Sequence, residues 1–333
     1  MPVRSDQSTA DSLAATVGLA QTADRLGYTR YWIAEHHNMP AVAATSPPVV
    51  IAYLAAQTRR IRLGSGGVML PNHAPLAVAE QFALLEAAAP GRIDLGIGRA
   101  PGTDPLTSML LRGNGDDAVD KFPQHVDHVA AMMSPGGVQV AMRGHDYTLK
   151  ATPAAAGEPR LWLLGSSMYS AHLAAAKGLP YVFAHHFSGQ GTAEALHAYR
   201  SEFRPSALTD KPLTFMTVNA VVAPEHAEAE ALLLPNLQMM ARLRTGQPLG
   251  PLDLVEDAAA ITMHQAEALI AAGRERAVVG TPSEAADQVR ALAAQFDVDE
   301  VMVNPVASAH RGTDPATAPA RETTLELLAK ELF

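Results

Sequence analysis

Four clusters of polar residues each follow a segment that is predicted to be a β-strand. Histidine can hold or pass a proton near neutral pH, whereas arginine and helix N-termini can bind phosphate. In a parallel barrel the carboxyl ends of the strands meet on one rim, so the sequence predicts that these clusters converge there. The clusters are Glu35-His36-His37, Gly98-Arg99, Gly165-Ser166-Ser167 and His185-His186.

The adjacent histidines His36 and His37 are candidates for proton transfer. Neighbouring side chains of an extended chain face opposite sides, so we expect only one of the two to enter the barrel mouth. This expectation disfavours a metal site that is built from both histidines. Taken alone, the pair is explained equally well by two rim histidines that hydrogen-bond to the loop backbone.

The segment from Gly96 to Gly102 resembles a dinucleotide-binding fingerprint, but its spacing is wrong. Three residues separate its last two glycines, and Pro101 stands where a helix should begin. A strand that ends beside a ligand, with Arg99 supplying a fork for phosphate, is the better interpretation. A surface arginine in a glycine-rich turn is the alternative.

The turn Gly165-Ser166-Ser167 precedes a helix that is predicted to begin near Met168. Free N–H groups at a helix N-terminus, together with two hydroxyl groups, form a site for an anion. An ordinary serine N-cap is the competing interpretation. The presence of Arg99 on the same rim favours a phosphate pocket.

Strand and helix patterns alternate along most of the chain, which predicts a parallel sheet with helices outside it, an α/β fold of the TIM (β/α)8 barrel type. Such a barrel has eight strands, and the sequence provides seven. The first strand, expected before a helix over Asp11 to Leu26, is therefore predicted to be missing or vestigial. The predicted strands are Arg30–Glu35, Arg60–Ser65, Ile93–Ile97, Leu161–Leu164, Tyr181–Phe183, Leu213–Val222 and Glu300–Val303.

Residues 1–333 contain no obvious linker or repeat, so we expect a single barrel domain. Two stretches interrupt the alternation. Residues 103–158 are rich in glycine, proline and aspartate around a predicted helix at Lys121 to Met133, and residues 224–276 add helical material. Long insertions of this kind are often lids or binding loops, so both are predicted to lie on the rim.

Composition narrows the classes of function. The chain has a formal net charge of −9 and no run of lysine and arginine, so it lacks the electrostatic pattern of a protein that binds nucleic acid or an anionic membrane. It has no cysteine, which excludes disulfides, thiolate metal ligands and a cysteine nucleophile. No metal-site signature is recognised, and the polar N-terminus leads us to expect a cytoplasmic protein.

Several longer motifs, in this order along nearly the whole chain, resemble the bacterial luciferase-like flavin monooxygenases. The resemblance is greatest to the single-chain type found among antibiotic-tailoring enzymes. One departure is Gly165, which stands where luciferase itself has a carboxylate. The motifs are Glu35-His36-His37-Asn38-Met39, the stretch from Gly64 to Pro75, the stretch from Gly91 to Gly102, Gly165-Ser166-Ser167, Gly178-Leu179-Pro180-Tyr181 and Val279-Gly280-Thr281-Pro282.

This resemblance implies a monooxygenase that uses O2 and reduced FMN, supplied by a separate flavin reductase, to oxygenate an apolar small molecule through a flavin peroxide. The substrate would be aromatic or polyketide-like, and the protein would be a homodimer. His36 would be the catalytic residue, and the Gly66–Gly67 bond would be a non-proline cis peptide beneath the flavin ring. Arg99, Gly165, Ser166, Ser167 and Tyr169 would bind the phosphate, and Glu35, His37 and His186 would lie towards the substrate.

Three alternatives are kept open. A deazaflavin-dependent oxidoreductase shares this barrel and would transfer hydride without consuming oxygen. A protein that binds flavin without turnover would follow if the missing strand had disabled the barrel. A metal-dependent barrel hydrolase would contain stoichiometric zinc and have no affinity for flavin.

Overall fold

The computed structural model describes residues 2–112, 117–155, 157–247 and 249–333. Its main feature is a curved sheet in which every strand pair is parallel. A separate antiparallel hairpin is formed by β5 and β6. The strands are β1 (Arg30–Ile33), β2 (Arg62–Ser65), β3 (Val68–Met69), β4 (Ile93–Gly98), β5 (Val138–Met142), β6 (His145–Leu149), β7 (Arg160–Gly165), β8 (Tyr181–Phe183), β9 (Thr214–Val222), β10 (Val278–Gly280) and β11 (Val301–Pro305).

Helices connect the strands of the main sheet. Within the described ranges, none of them is long and apolar enough to cross a membrane. Short 3-10 turns occur at Leu70–Asn72 and His264–Ala266. The helices are α1 (Thr9–Leu26), α2 (Pro47–Gln57), α3 (Pro75–Ala88), α4 (Pro105–Arg112), α5 (Phe122–Met133), α6 (Met168–Lys177), α7 (His185–Ser188), α8 (Thr192–Glu202), α9 (His226–Arg244), α10 (Val255–Ala259), α11 (Glu267–Glu275), α12 (Pro282–Phe296) and α13 (Pro319–Leu332).

Local sequence signals explain where several helices begin and end. Ser8 and Asp11 form a capping box at the start of α1, and Thr281 and Glu284 form one at the start of α12. Gly27 ends α1 with a φ of 87°, a left-handed conformation that glycine adopts without steric cost. These signals fix the helix ends independently of the packing against the sheet.

The α/β barrel predicted from the sequence is confirmed. The strands run in the order β1-β2-β4-β7-β8-β9, and β9 then pairs with both β10 and β11. Ile33 is paired with Ser65 and Ile97 with Leu163, so the carboxyl ends of neighbouring strands lie side by side. The seven predicted strands are all present, whereas the short strands β3 and β10 and the hairpin were not predicted.

The barrel is open between β1 and β11. In the described part of the chain no strand precedes β1, and no ladder joins β1 to β11. The N-terminal residues form only two isolated bridges, Pro2 with Val42 and Arg4 with Leu252. A cavity of about 340 Å³ lies between the edges of β1 and β11 and is covered by α12 and α13. The prediction of a vestigial first strand is therefore confirmed.

The two predicted insertions contain structure of their own. Residues 103–158 include α4, α5 and the hairpin, and residues 224–276 include α9, α10 and α11. Within these insertions, residues 113–116, 156 and 248 lie outside the described residues. That the insertions act as rim lids, and that the chain is one domain, both stay predictions.

A buried carboxylate organises the base of the barrel. Asp94, on β4, is completely buried and accepts hydrogen bonds from Arg30 (2.7 Å), Arg62 (2.6 and 3.0 Å) and the indole N–H of Trp32 (3.1 Å). Arg30 also binds Glu300 through two hydrogen bonds of 2.6 and 3.0 Å. Because β1, β2 and β4 each contribute to this network, it fixes the three strands relative to one another.

Aromatic rings pack against the same network. Trp32, Trp162 and Phe215 contact one another edge to face, with centroid separations of 4.8 to 5.9 Å. The guanidinium of Arg30 lies 4.9 Å from the Trp162 ring and 5.2 Å from the Phe215 ring, within cation–π range. A Cβ atom on Gly64 would lie 2.6 Å from the Trp32 nitrogen, so only glycine fits there.

We expect Asp94→Ala to lower the free energy of unfolding by about 3 kcal/mol or more, because it removes this partner from the buried Arg30 and the half-buried Arg62 charges. Urea unfolding followed by circular dichroism measures the change. Glu267→Ala is the control, since it removes an exposed ion pair with His264 and should cost less than about 0.5 kcal/mol. Equal losses in the two variants would contradict a stabilising role for Asp94.

Candidate active site

The candidate site lies at the carboxyl ends of the parallel strands. Glu35 and His36 follow β1, Gly66 follows β2, Arg99 follows β4 and Ser166 follows β7. The order of the strands in the sheet places these segments next to one another. The convergence predicted from the sequence is therefore a consequence of parallel pairing.

His36 is held by two contacts to the loop backbone. Its backbone N–H donates to Ala44 O at 2.8 Å, and its ring Nδ1 lies 3.3 Å from Gly102 O. A carbonyl oxygen can only accept, so Nδ1 carries the proton and Nε2 is the basic nitrogen. Burial lowers the pKa of His36, and the hydrogen bond to Gly102 offsets this only in part. His36 is therefore a neutral base at pH 7.

The Gly66–Gly67 peptide bond is cis, as the family resemblance led us to expect. The segment packs closely on neighbouring strands, since a Cβ atom on Gly67 would lie 2.9 Å from Gly96 O. The Ser65 hydroxyl donates to Gly96 O at 2.8 Å and accepts from Gly96 N–H at 3.0 Å. These contacts fix the glycine pair on β4 below the rim.

Arg99 and the start of α6 form a candidate phosphate site. The guanidinium carbon of Arg99 lies 3.9 Å from the centroid of the Tyr169 ring, and both side chains are exposed. Arg99 has no carboxylate partner among the described residues. The N-cap residue Ser167 makes no side-chain hydrogen bond to the helix, so the first N–H groups of α6 are available to an anion. The hydroxyl of Ser170 donates instead to Ser167 O at 2.8 Å.

His186 lines a cavity at the rim. Its Nδ1 lies 2.5 Å from the hydroxyl of Thr217, on β9. A cavity of about 230 Å³ is lined by His186 and Thr217 together with Gly66, Leu164 and side chains from β1 and β11. Burial, together with the neighbouring His185 and His36, lowers the pKa of His186 to about 4. His186 lies in α7 and not at a plain strand end, but it reaches the same cavity.

Glu35 and His37, predicted to lie towards the substrate, contact each other and a third residue, His73. The Glu35 carboxylate is completely buried and accepts from His37 Nε2 and His73 Nε2, each at 2.8 Å. Sequence reasoning did not assign a role to His73 or to Thr217. His73 stands in the motif from Gly64 to Pro75, but no local pattern pairs it with Glu35, 38 residues away.

The family was tested by comparison with known proteins. A family model described as luciferase-like monooxygenase matches residues 1–299. The chain belongs to this family. It is 38% identical over 306 residues to a luciferase-like monooxygenase of Escherichia coli (strain K12), which covers 91% of this chain and 88% of that protein.

Two further relatives of this luciferase-like monooxygenase have more specific descriptions. The N-acetyl-S-alkylcysteine monooxygenase of Bacillus subtilis (strain 168) is 34% identical over 302 residues, covering 89% of this chain and 88% of that protein. The crystal structure of apo-MsnO8 superposes with a TM-score of 0.85 and 33% identity, covering 99% of this chain and 95% of that one. The fold and the family thus agree over almost the whole chain.

We expect Arg99→Ala to weaken FMN binding about tenfold while leaving riboflavin binding within about twofold, because a hydrogen bond to a charged group contributes about 1.5–3 kcal/mol and the site is exposed. Dissociation constants for both flavins, measured by fluorescence quenching, make the test. Arg59→Ala, which removes an exposed arginine before β2 at the opposite end of the strands, is the control. Equal losses for the two flavins would show that Arg99 does not bind the phosphate.

We expect His186 to stay neutral from pH 8 down to about pH 5, given its pKa of about 4. The unfolded chain binds a proton at its ordinary pKa near 6.5, so the folded state binds fewer protons between about pH 4 and 6.5. Acid in this window therefore destabilises the fold. NMR titration of labelled histidines measures the midpoint, with His226, whose pKa is raised by Glu284, as the comparison within the chain. A midpoint for His186 near 6.5 would contradict this assignment.

Proposed function

We propose that this protein is an FMN-dependent monooxygenase that oxygenates an apolar small molecule. The observation that carries the proposal is the exposed Arg99 guanidinium beside the uncapped start of α6, on the same rim as the glycine pair and a neutral His36. A separate flavin reductase that supplies reduced FMN, and a homodimeric assembly, belong to the same proposal.

The residues present fit the phosphate of FMN. Arg99 presents an exposed guanidinium, and the helix behind it presents N–H groups without a side-chain cap. Gly165 packs directly against Ser170. A Cβ atom at position 165 would lie 2.1 Å from the Ser170 hydroxyl, so a residue with a side chain does not fit there. The glycine therefore lets α6 begin close to the strand end, and phosphate binding rests on backbone N–H groups, Ser166, Ser167 and Arg99.

The remaining residues would act on either the cofactor or the substrate. Reduced FMN, when bound, supplies two electrons to O2, so that one oxygen atom enters the substrate and the other leaves as water. His36 holds or returns a proton through Nε2, because its Nδ1–H is bound to Gly102 O. Leu164, Val182 and Met302 give the cavity its apolar lining, which suits an apolar substrate.

Relatives support a monooxygenase over other chemistry. The Bacillus subtilis relative is named as a monooxygenase of N-acetyl-S-alkylcysteine, a small molecule with an alkyl chain. Structures of similar fold include a monooxygenase in complex with FMN and an F420-dependent secondary alcohol dehydrogenase, at 18% and 15% identity. Likeness at that level concerns the fold alone.

The proposal is tested with an oxygen electrode. We expect the protein to consume O2 in the presence of reduced FMN and a screened set of apolar metabolites, with one oxygen atom from labelled O2 found in the product. Hydride transfer from a reduced deazaflavin, without oxygen uptake, would contradict the proposal. Stoichiometric zinc without flavin affinity would contradict it in favour of a hydrolase.

A substitution of His36 tests the proposed role of this residue. We expect His36→Ala to bind FMN within about threefold of the unaltered protein but to let bound reduced FMN reoxidise in air about tenfold faster or more, because the variant lacks the Nε2 that would hold a proton beside the flavin until the substrate reacts. Stopped-flow absorbance of oxidised flavin measures the rate. His226→Ala, an exposed histidine on α9, is the control and should change neither quantity.

A further inference from the structure

The cluster formed by Glu35, His37 and His73 has no part in the chemistry proposed above. Glu35 Oε1 accepts from both imidazoles, and Glu35 Oε2 accepts from Met69 N–H at 3.0 Å. Burial opposes ionisation of Glu35, but the hydrogen bonds from His73, His37 and Met69 outweigh it and lower the pKa of the carboxyl. The carboxylate is therefore charged and satisfied on both oxygens.

The geometry of the cluster is that of hydrogen bonds and not of metal coordination. Its three ligand atoms lie within 4.8 Å of one another, which is close enough to hold an ion. Ligands of a tetrahedral zinc, at 2.0–2.2 Å from the metal, lie about 3.4 Å apart. The two N···O separations of 2.8 Å are shorter than that and match charge-assisted hydrogen bonds.

The cluster is linked to His36 through Gly102. The backbone N–H of His37 donates to Gly102 O at 3.2 Å, and the same oxygen accepts from Nδ1 of His36. Gly102 has a φ of +66°, and a Cβ atom there would lie 2.9 Å from the carbonyl oxygen of Glu35. The backbone of Gly102 is thus packed on Glu35 and shared by both histidines.

We propose that Glu35 and His73 are positioning residues that hold His37, and through the shared Gly102 carbonyl hold His36 in the tautomer with Nδ1 protonated. This inference rests on the proposed function for its catalytic meaning, because the tautomer leaves Nε2 of His36 free to take a proton. The tautomer itself is a property of the protein without flavin, so it is measured separately.

His37 and His73 each donate their Nε2–H to Glu35, so the side chain at position 73 can be changed in a matched way. Glutamine places its amide nitrogen near the position of Nε2 and keeps the donor, whereas leucine has a similar bulk and no donor. The side chain of His73 is half-buried, whereas that of Glu35 is completely buried, so we expect substitutions at position 73 to disturb the packing less. His73→Gln and His73→Leu therefore separate the hydrogen bond from the packing.

The experiment is a tautomer assignment by long-range ¹H–¹⁵N NMR on ¹⁵N-histidine-labelled protein at pH 8, without flavin. We expect the His36 signature of protonated Nδ1 in the unaltered protein and in His73→Gln, and its loss to a mixture of tautomers in His73→Leu. Glu35→Gln should lose it too, because an amide cannot accept from two imidazoles and Met69 at once. Glu202→Gln, which breaks an exposed pair with His172, is the control and should retain the signature.

Three outcomes overturn the proposal. An unchanged His36 tautomer in His73→Leu shows that the cluster does not position His36, and equal losses in the leucine and glutamine variants show that packing alone does. Stoichiometric divalent metal that is lost in Glu35→Gln shows a metal site instead. If the tautomer responds as expected but FMN fails to bind, the proposed function fails while the positioning role stands.

Discussion

The whole rim depends on how the buried Asp94 carboxylate holds three strands together. Arg30, Arg62 and Trp32 all bind it, and they come from β1 and β2, the strands that carry the site segments on one side. Guanidinium groups stay charged throughout the physiological pH range. The carboxyl ends of β1, β2 and β4 are therefore set by a constraint at their other end.

A second buried carboxylate, Glu35, is also held by hydrogen bonds, at the rim, but its partners are different. Asp94 is paired with guanidinium groups, whereas Glu35 is bound to two imidazoles and one backbone N–H. Imidazoles can change protonation near neutral pH, and guanidinium groups cannot. The base of the barrel is thus held by guanidinium groups, whereas the buried carboxylate at the rim is held by imidazoles beside His36.

The sequence predicted most of what periodicity and local signals determine. The helix over Met168 to Lys177 was placed correctly because Gly178 ends it in a left-handed conformation. The strand β10 was missed because it is three residues long and exists only through its pairing with Ala220 to Val222. The hairpin β5–β6 was missed because both of its strands are short and largely exposed, so they belong to no buried apolar run.

The candidate site was predicted only as far as it follows from strand ends. His36 and Arg99 were identified because each comes directly after a predicted strand. His73 and Thr217 were not, since their partners Glu35 and His186 are 38 and 31 residues away and no spacing rule connects them. Hydrogen bonds between distant segments are set by the tertiary fold, and a single sequence gives no direct measure of them.

The two sides of the rim also differ in how firmly they are built. On the side of Arg99, β1, β2, β4 and β7 form an unbroken ladder that carries the glycine pair and Arg99. On the cavity side, the edges of β1 and β11 face each other without a ladder, and the cavity extends between them to Pro2 and Arg4. The strand edges are thus paired on the side of Arg99, whereas β1 and β11 are not paired with each other at the cavity.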